Sequence, residues 1–177
     1  MQQLNQNYFQ LFKLSESFDL DMDSLTEEYH ALQTEVHPDK FVSAKEQDRL
    51  RAVQMTSYLN EAYSTLKSPL KRAAYILKLH EIDAESVAQK DLGLDLLMEQ
   101  MQLRESLDEL PKDVSALPQL ERLKEGTRVK LLERQNSFAV DVEVGEFNNA
   151  KKIFHELQFL EKFLAEIEDC EEQRLGY

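Results

Sequence analysis

His37, Pro38 and Asp39 stand side by side in the run Val-His-Pro-Asp-Lys-Phe, bringing an imidazole, a fixed backbone and a carboxylate within three residues. Two chemistries suit such a set. The imidazole and carboxylate could pass protons between them, or the carboxylate could be offered as a hydrogen-bond acceptor to another macromolecule. Pro38 speaks against the first. The residue before a proline is driven from helical to extended geometry, so the two side chains are expected to be held apart. No serine, cysteine or glycine-rich loop supplies a nucleophile or a phosphate cradle. Docking is the chemistry that remains, unless the tripeptide is only a helix-ending turn in which Asp39 satisfies loop amides. A metal site is not expected: His30, His37, His80 and His155 are scattered, and the one cysteine, Cys170, leaves no Cys-x-x-Cys pair. No catalytic residue and no cofactor are assigned, and the chain reads as a non-enzyme.

The elements that must hold this tripeptide can be read on both sides of it. Ser24 and Glu27 have the spacing of a capping box, and Leu25, Tyr29, Leu32 and Val36 follow at steps of three and four, so a helix is expected to run into the motif. After a polar loop through Ser43 and Ala44, a second periodic run carries Val53, Thr56, Leu59, Tyr63 and Leu66. The pair predicts an antiparallel helical hairpin with the tripeptide at its tip. Ser68 as N-cap and Pro69 as first helical residue then open another helix, with Leu70, Ala73, Ala74 and Leu77 turned inward and an end near His80.

Residues 80–85 form a short connection, and residues 86–177 read as a second domain after a first over residues 1–79. Three helical patterns, near 86–110, 117–138 and 144–172, predict a three-helix bundle, with Pro111 and Pro118 around its first turn and Gly145 at its second. The fold class is therefore all-α. The first bundle helix carries an excess. At about 100° per residue, Leu96, Leu103, Leu107 and Leu110 share one side, whereas Leu94, Leu97, Met98 and Met101 form another stripe that continues into Glu105 and Glu109. One bundle face cannot bury both. The second stripe suits either packing against a neighbouring domain or a recognition surface with an apolar centre and an acidic rim. Phe159, on the third helix, is expected off the core side and able to complete the same surface.

Composition agrees with a helical protein of one or two small domains: 177 residues contain only four glycines and four prolines. Residues 1–79 hold nine basic against eleven acidic side chains, a net −2, while residues 80–177 hold twelve against twenty-three, a net −11. A back half so acidic repels phosphate backbones, so no nucleic acid partner is expected. No apolar run approaches the roughly twenty residues of a membrane span, and no charged-then-apolar leader is evident; a cytoplasmic monomer is expected.

Three further stretches tie these features together. Tyr8-Phe9-Gln10-Leu11-Phe12, His37-Pro38-Asp39-Lys40-Phe41 and Ser68-Pro69-Leu70-Lys71-Arg72-Ala73 resemble the marks of a J-domain over residues 7–80, and LLMEQMQLRESLDEL at residues 96–110 resembles the opening of the second domain of the HscB co-chaperone family. The resemblance covers nearly the whole chain. It implies a J-domain followed by a three-helix domain, in a protein that stimulates ATP hydrolysis by a DnaK/HscA-type chaperone and delivers the iron–sulfur scaffold IscU to it. On that likeness His37, Pro38, Asp39 and Lys40 would meet the chaperone ATPase. Leu97, Met98, Met101, Glu105, Glu109 and Phe159 would meet the scaffold. A general J-domain protein or helical adaptor without an iron–sulfur role is the alternative. One departure from the J-domain pattern stands out: the helix before the loop carries no lysine or arginine over residues 24–36, so steering toward the partner is expected to be weaker, or to come from Lys40, Lys45, Arg49, Arg51, Lys71 and Arg72, or to face a partner of altered charge.

Overall fold

The structure is a computed structural model that describes residues 6–41, 44–84 and 93–176. Among these residues it contains seven α-helices and no strand: α1 Tyr8–Leu11, α2 Met22–Val36, α3 Glu46–Lys67, α4 Pro69–Leu79, α5 Leu94–Asp108, α6 Leu117–Val144 and α7 Phe147–Leu175. The chain divides into two compact units, Met1–Ile76 and Leu77–Tyr177, with the division inside α4.

The first unit is built on the hairpin of α2 and α3. The expected Ser24 cap is not the one used. Asp21 caps α2 by accepting from the amides of Asp23 (3.0 Å) and Ser24 (3.3 Å), while the Ser24 hydroxyl donates to its second oxygen at 2.7 Å. A carboxylate accepts three bonds where a hydroxyl accepts fewer, and these bonds hold the Asp21 carboxyl below the ordinary carboxylate range. On α2, Leu25, Leu32 and Val36 are buried as their spacing requires. On α3 the buried line is Ala52, Met55, Leu59, Ala62 and Leu66, so Val53, expected inside, lies on the outer face. Tyr29 and Tyr63 stack across the hairpin with ring centres 4.0 Å apart, and the Tyr29 hydroxyl donates to Asn60 at 3.0 Å. Ser68 ends α3 and starts α4, its oxygen accepting from the Lys71 amide at 3.4 Å, with Pro69 as first helical residue.

The second unit is a three-helix bundle. Gly145, at φ 81°, closes α6 with its amide on the Val142 carbonyl (3.2 Å), and the Glu146 amide returns to Asp141 (2.8 Å). That tight reversal lays α7 antiparallel along α6. Leu107 of α5, Leu120 of α6, and Phe163 and Ile167 of α7 form the buried centre, with Leu103, Leu110, Leu117, Leu123, Phe159 and Cys170 packed around it. The expected helix start near residue 86 and the end of the connection at residue 85 lie outside the described residues, as does Ser43 of the hairpin loop. The described part of the first bundle helix begins at Leu94.

Charges lace the bundle together. Glu99 of α5 pairs with Lys130 and, at 3.8 Å, with Arg134 of α6, and Arg134 also pairs with Glu156 of α7. Burial, aided by Glu99, pushes the Glu156 carboxyl above its ordinary range despite Arg134.

Candidate functional site

The hairpin tip is shaped by its proline. α2 stops at Val36, His37 turns extended at ψ 126°, and Pro38 opens a single 3₁₀ turn, Pro38–Phe41, closed by the Lys40 amide donating to the His37 carbonyl at 3.0 Å. Proline is suited to this second position of a turn because its φ is already set. The turn has a consequence that extended geometry would not allow. It brings His37 and Asp39 together, with the Asp39 amide donating to His37 Nδ1 at 3.3 Å and Asp39 Oδ2 lying 3.7 Å from the same nitrogen. The imidazole thus braces the backbone of the residue that bears the carboxylate.

The carboxylate itself is left for others. Its side chain is 86% exposed, and among the described residues no loop amide donates to it. Lys40, next in the chain, is exposed as well. The Thr56 hydroxyl of α3 reaches the last carbonyl of α2, that of Val36, at 3.4 Å and donates to the Ala52 carbonyl at 2.8 Å. The turn is therefore seated on α3. An anchored, solvent-facing carboxylate of this kind can accept a charge-assisted bond.

In the second unit α5 sorts its two apolar sides as the rotation per residue requires. Leu107 is buried and Leu96, Leu103 and Leu110 are half-buried, whereas Leu97, Met98 and Met101 are 38%, 51% and 71% exposed, and Leu94, Glu105 and Glu109 are exposed with them. Phe159 is placed differently from Met98 and Met101. It is half-buried at the edge of the bundle core, its ring stacked on Phe163 at 5.7 Å. Arg104, one heptad beyond Leu97 on α5, lays its guanidinium over that ring at 5.8 Å and faces Glu166 of α7 at 3.7 Å. Sequence reasoning passed over Arg104; its i, i+7 relation to Leu97 was the signal available. It also counted Arg72 among the steering cations, but that guanidinium is buried, donating to the Leu66 carbonyl at 2.6 Å.

The chain aligns over 172 residues, 96% of its length, with a co-chaperone protein HscB homolog of Vibrio cholerae, at 38% identity and covering 99% of that protein. The chain belongs to the HscB co-chaperone family. An HscB homolog of Neisseria meningitidis is 37% identical over 163 residues, which are 90% of this chain and 96% of that one. Residues 93–168 match the family model described as the HSCB C-terminal oligomerisation domain. The fold agrees: the solved chaperone HscB of Vibrio cholerae superposes with a TM-score of 0.84 at 34% identity, covering 95% of this chain and 99% of that one. The human co-chaperone protein HscB gives 0.85 at 26% identity, covering 94% and 82%. These HscB structures establish the all-α architecture as that of J-domain co-chaperones. Among the described residues no helix is long and apolar enough to cross a membrane.

Proposed function

We propose that this HscB family member stimulates ATP hydrolysis by a DnaK/HscA-type chaperone through its hairpin tip and delivers the iron–sulfur scaffold IscU to that chaperone on the outer stripe of α5, so assisting cluster assembly and transfer. The observation that carries the reading is the Asp39 carboxylate, braced through its own backbone by His37 and left facing solvent. A partner guanidinium would donate to it in a charge-assisted bond worth about 1.5–3 kcal/mol. Pro38 sets the turn, His37 orients it, and Lys40 adds a cation beside it. The scaffold would be gripped by Leu97, Met98 and Met101, with Phe159 at the edge and Glu105 and Glu109 as the acidic rim. Each apolar side chain fully buried there would contribute about 1.5–3 kcal/mol.

A steady-state ATPase assay with the chaperone, with and without scaffold, tests the reading. Asp39→Asn keeps the shape of the turn and removes only the charge, so its circular dichroism and melting should match the parent while stimulation disappears. Normal stimulation by that variant overturns the assignment. Stimulation that the scaffold leaves unchanged would favour the general J-domain alternative.

A further inference from the structure

Of the five methionines, four lie among the described residues, and the two units treat them differently. In the first unit Met55 is 7% exposed in the core of the hairpin, and Met22 is half-buried with its sulfur accepting from the buried Arg72 Nη1 at 3.7 Å. In the second, Met98 and Met101 are 51% and 71% exposed. They stand three residues apart on α5 and so share one side of the helix with Leu94 and Leu97. The other sulfur of this unit, that of Cys170, is half-buried against the bundle core. Among the described residues, the two methionines most open to solvent are thus both on the stripe where the scaffold would be held.

Leucine at these two positions would offer a similar apolar volume; a thioether adds a lone pair that oxidants attack. With hydrogen peroxide the sulfur lone pair forms an S–O bond, the O–O bond breaks, and the departing hydroxide takes the proton from the transferred oxygen and leaves as water. The sulfur is oxidised by two electrons and the peroxide is reduced. A flexible apolar side chain has become a polar, chiral sulfoxide. Peroxide is uncharged, so the acidic rim of Glu105 and Glu109 does not hold it off. A sulfoxide pressed against an apolar partner surface loses its hydration where the thioether gained by burial, and the contact weakens. The bundle is spared, because neither methionine belongs to its buried centre of Leu107, Leu120, Phe163 and Ile167. Reduction by a sulfoxide reductase with two thiols gives back the thioether, with water and a disulfide as the other products.

We propose that Met98 and Met101 form a reversible oxidation switch at the scaffold stripe: peroxide converts them to sulfoxides and so releases the scaffold, while the fold is left intact. The proposal rests on the reading of that stripe given above and supplies its regulation.

The test treats the full chain with hydrogen peroxide, removes the excess by desalting, and only then titrates it calorimetrically against untreated scaffold. Peptide mass mapping should find oxygen added at Met98 and Met101 before Met22 and Met55. Affinity should fall about tenfold or more with unchanged circular dichroism, and methionine sulfoxide reductase with a thiol should restore it. In Met98→Leu/Met101→Leu, whatever its own affinity, peroxide should make no difference. If Met22 or Met55 is oxidised first, if the two sulfoxides form and the affinity holds, or if the leucine variant loses as much as the parent, the switch is overturned. Failure of the stripe itself is read separately, as unchanged affinity in Met98→Ala/Met101→Ala without any oxidant.

Discussion

The guanidinium of Arg104 on α5 lies over the ring of Phe159, 5.8 Å from its centre, and Phe159 also stacks on Phe163, one turn further along α7, at 5.7 Å. Phe159 is thus a structural member of the bundle as well as a candidate contact, whereas Met98 and Met101 touch solvent. Their substitutions should separate. Met98→Ala/Met101→Ala is expected to weaken scaffold binding about tenfold or more in calorimetric titration with an unchanged melting temperature. Phe159→Ala is expected to lower stability by about 1–2 kcal/mol in urea, less than a fully buried phenylalanine would cost. Unchanged affinity in the methionine pair would remove the stripe from the scaffold site.

Arg72 closes the first unit from inside. Its Nη1 donates to the Leu66 carbonyl in the last turn of α3, its guanidinium lies 5.0 Å from the centre of the Phe18 ring, and burial depresses its pKa against the pull of Asp19. Arg72→Met keeps most of the packing but leaves that helix-end carbonyl without its donor. The expected loss is about 1.5–3 kcal/mol, read as an earlier urea midpoint with an unchanged slope.

Tyr8 makes the first unit sensitive to alkali. Its ring stacks on Tyr75 at 4.3 Å, and burial, with Glu61, Tyr58 and Tyr75 nearby, pushes its hydroxyl up to about 12; burial also raises Tyr58 and Tyr75. A phenol whose pKa is higher folded than unfolded lends stability that is full below about pH 10 and is lost as pH climbs toward the folded value. Melting temperature should therefore fall between about pH 10 and 12, and Tyr8→Phe should fall less over the same interval.

Gly145 resists a side chain for purely backbone reasons. Its φ of 81° is left-handed, and an added Cβ there meets nothing within 4 Å, so the cost is conformational and not steric. Gly145→Ala should lower the stability of the bundle by about 1 kcal/mol, while Gly126→Ala, within α6, should raise it by up to about 1 kcal/mol. Thermal melts of the two variants, moving in opposite directions, check the pair.

The sequence made some of this legible and concealed the rest for identifiable reasons. Ser68-Pro69 marks a boundary that lies where expected, whereas α6 runs on to Val144, past the expected end at residue 138, until Gly145 stops it and α7 begins at Phe147. The start of α2 was misread because Asp19, Asp21, Asp23 and Ser24 are all competent caps within six residues; the carboxylate that gathers three donors wins. On α3, Val53 looked like core because its spacing to Thr56 and Leu59 fits a helix. Ala52 and Met55 take that place because they continue the one buried line of α3, Ala52, Met55, Leu59, Ala62 and Leu66, in steps of three and four, and Val53 lies beside that line. The approach of His37 to Asp39 was hidden by treating proline only as a helix breaker, when it also begins turns. The outer stripe of α5 was legible because Leu94, Leu97, Met98 and Met101 repeat at helical spacing on a side that the stripe of Leu96, Leu103, Leu107 and Leu110 does not share. The double duty of Phe159 was not, because a half-buried edge position has no periodic signature.

The ionic rung through Glu99, Lys130, Arg134 and Glu156 acts as a ruler among the three bundle helices. Sliding α5 by one turn, about 5.4 Å, would part Glu99 from both of its cations, so the height at which Met98 and Met101 are displayed is fixed by partly exposed charges that Glu99 shares with α6. Salt and acid would then blur the aim of that display before they melt the bundle, and the grip on a cargo would fade while the helices still stood.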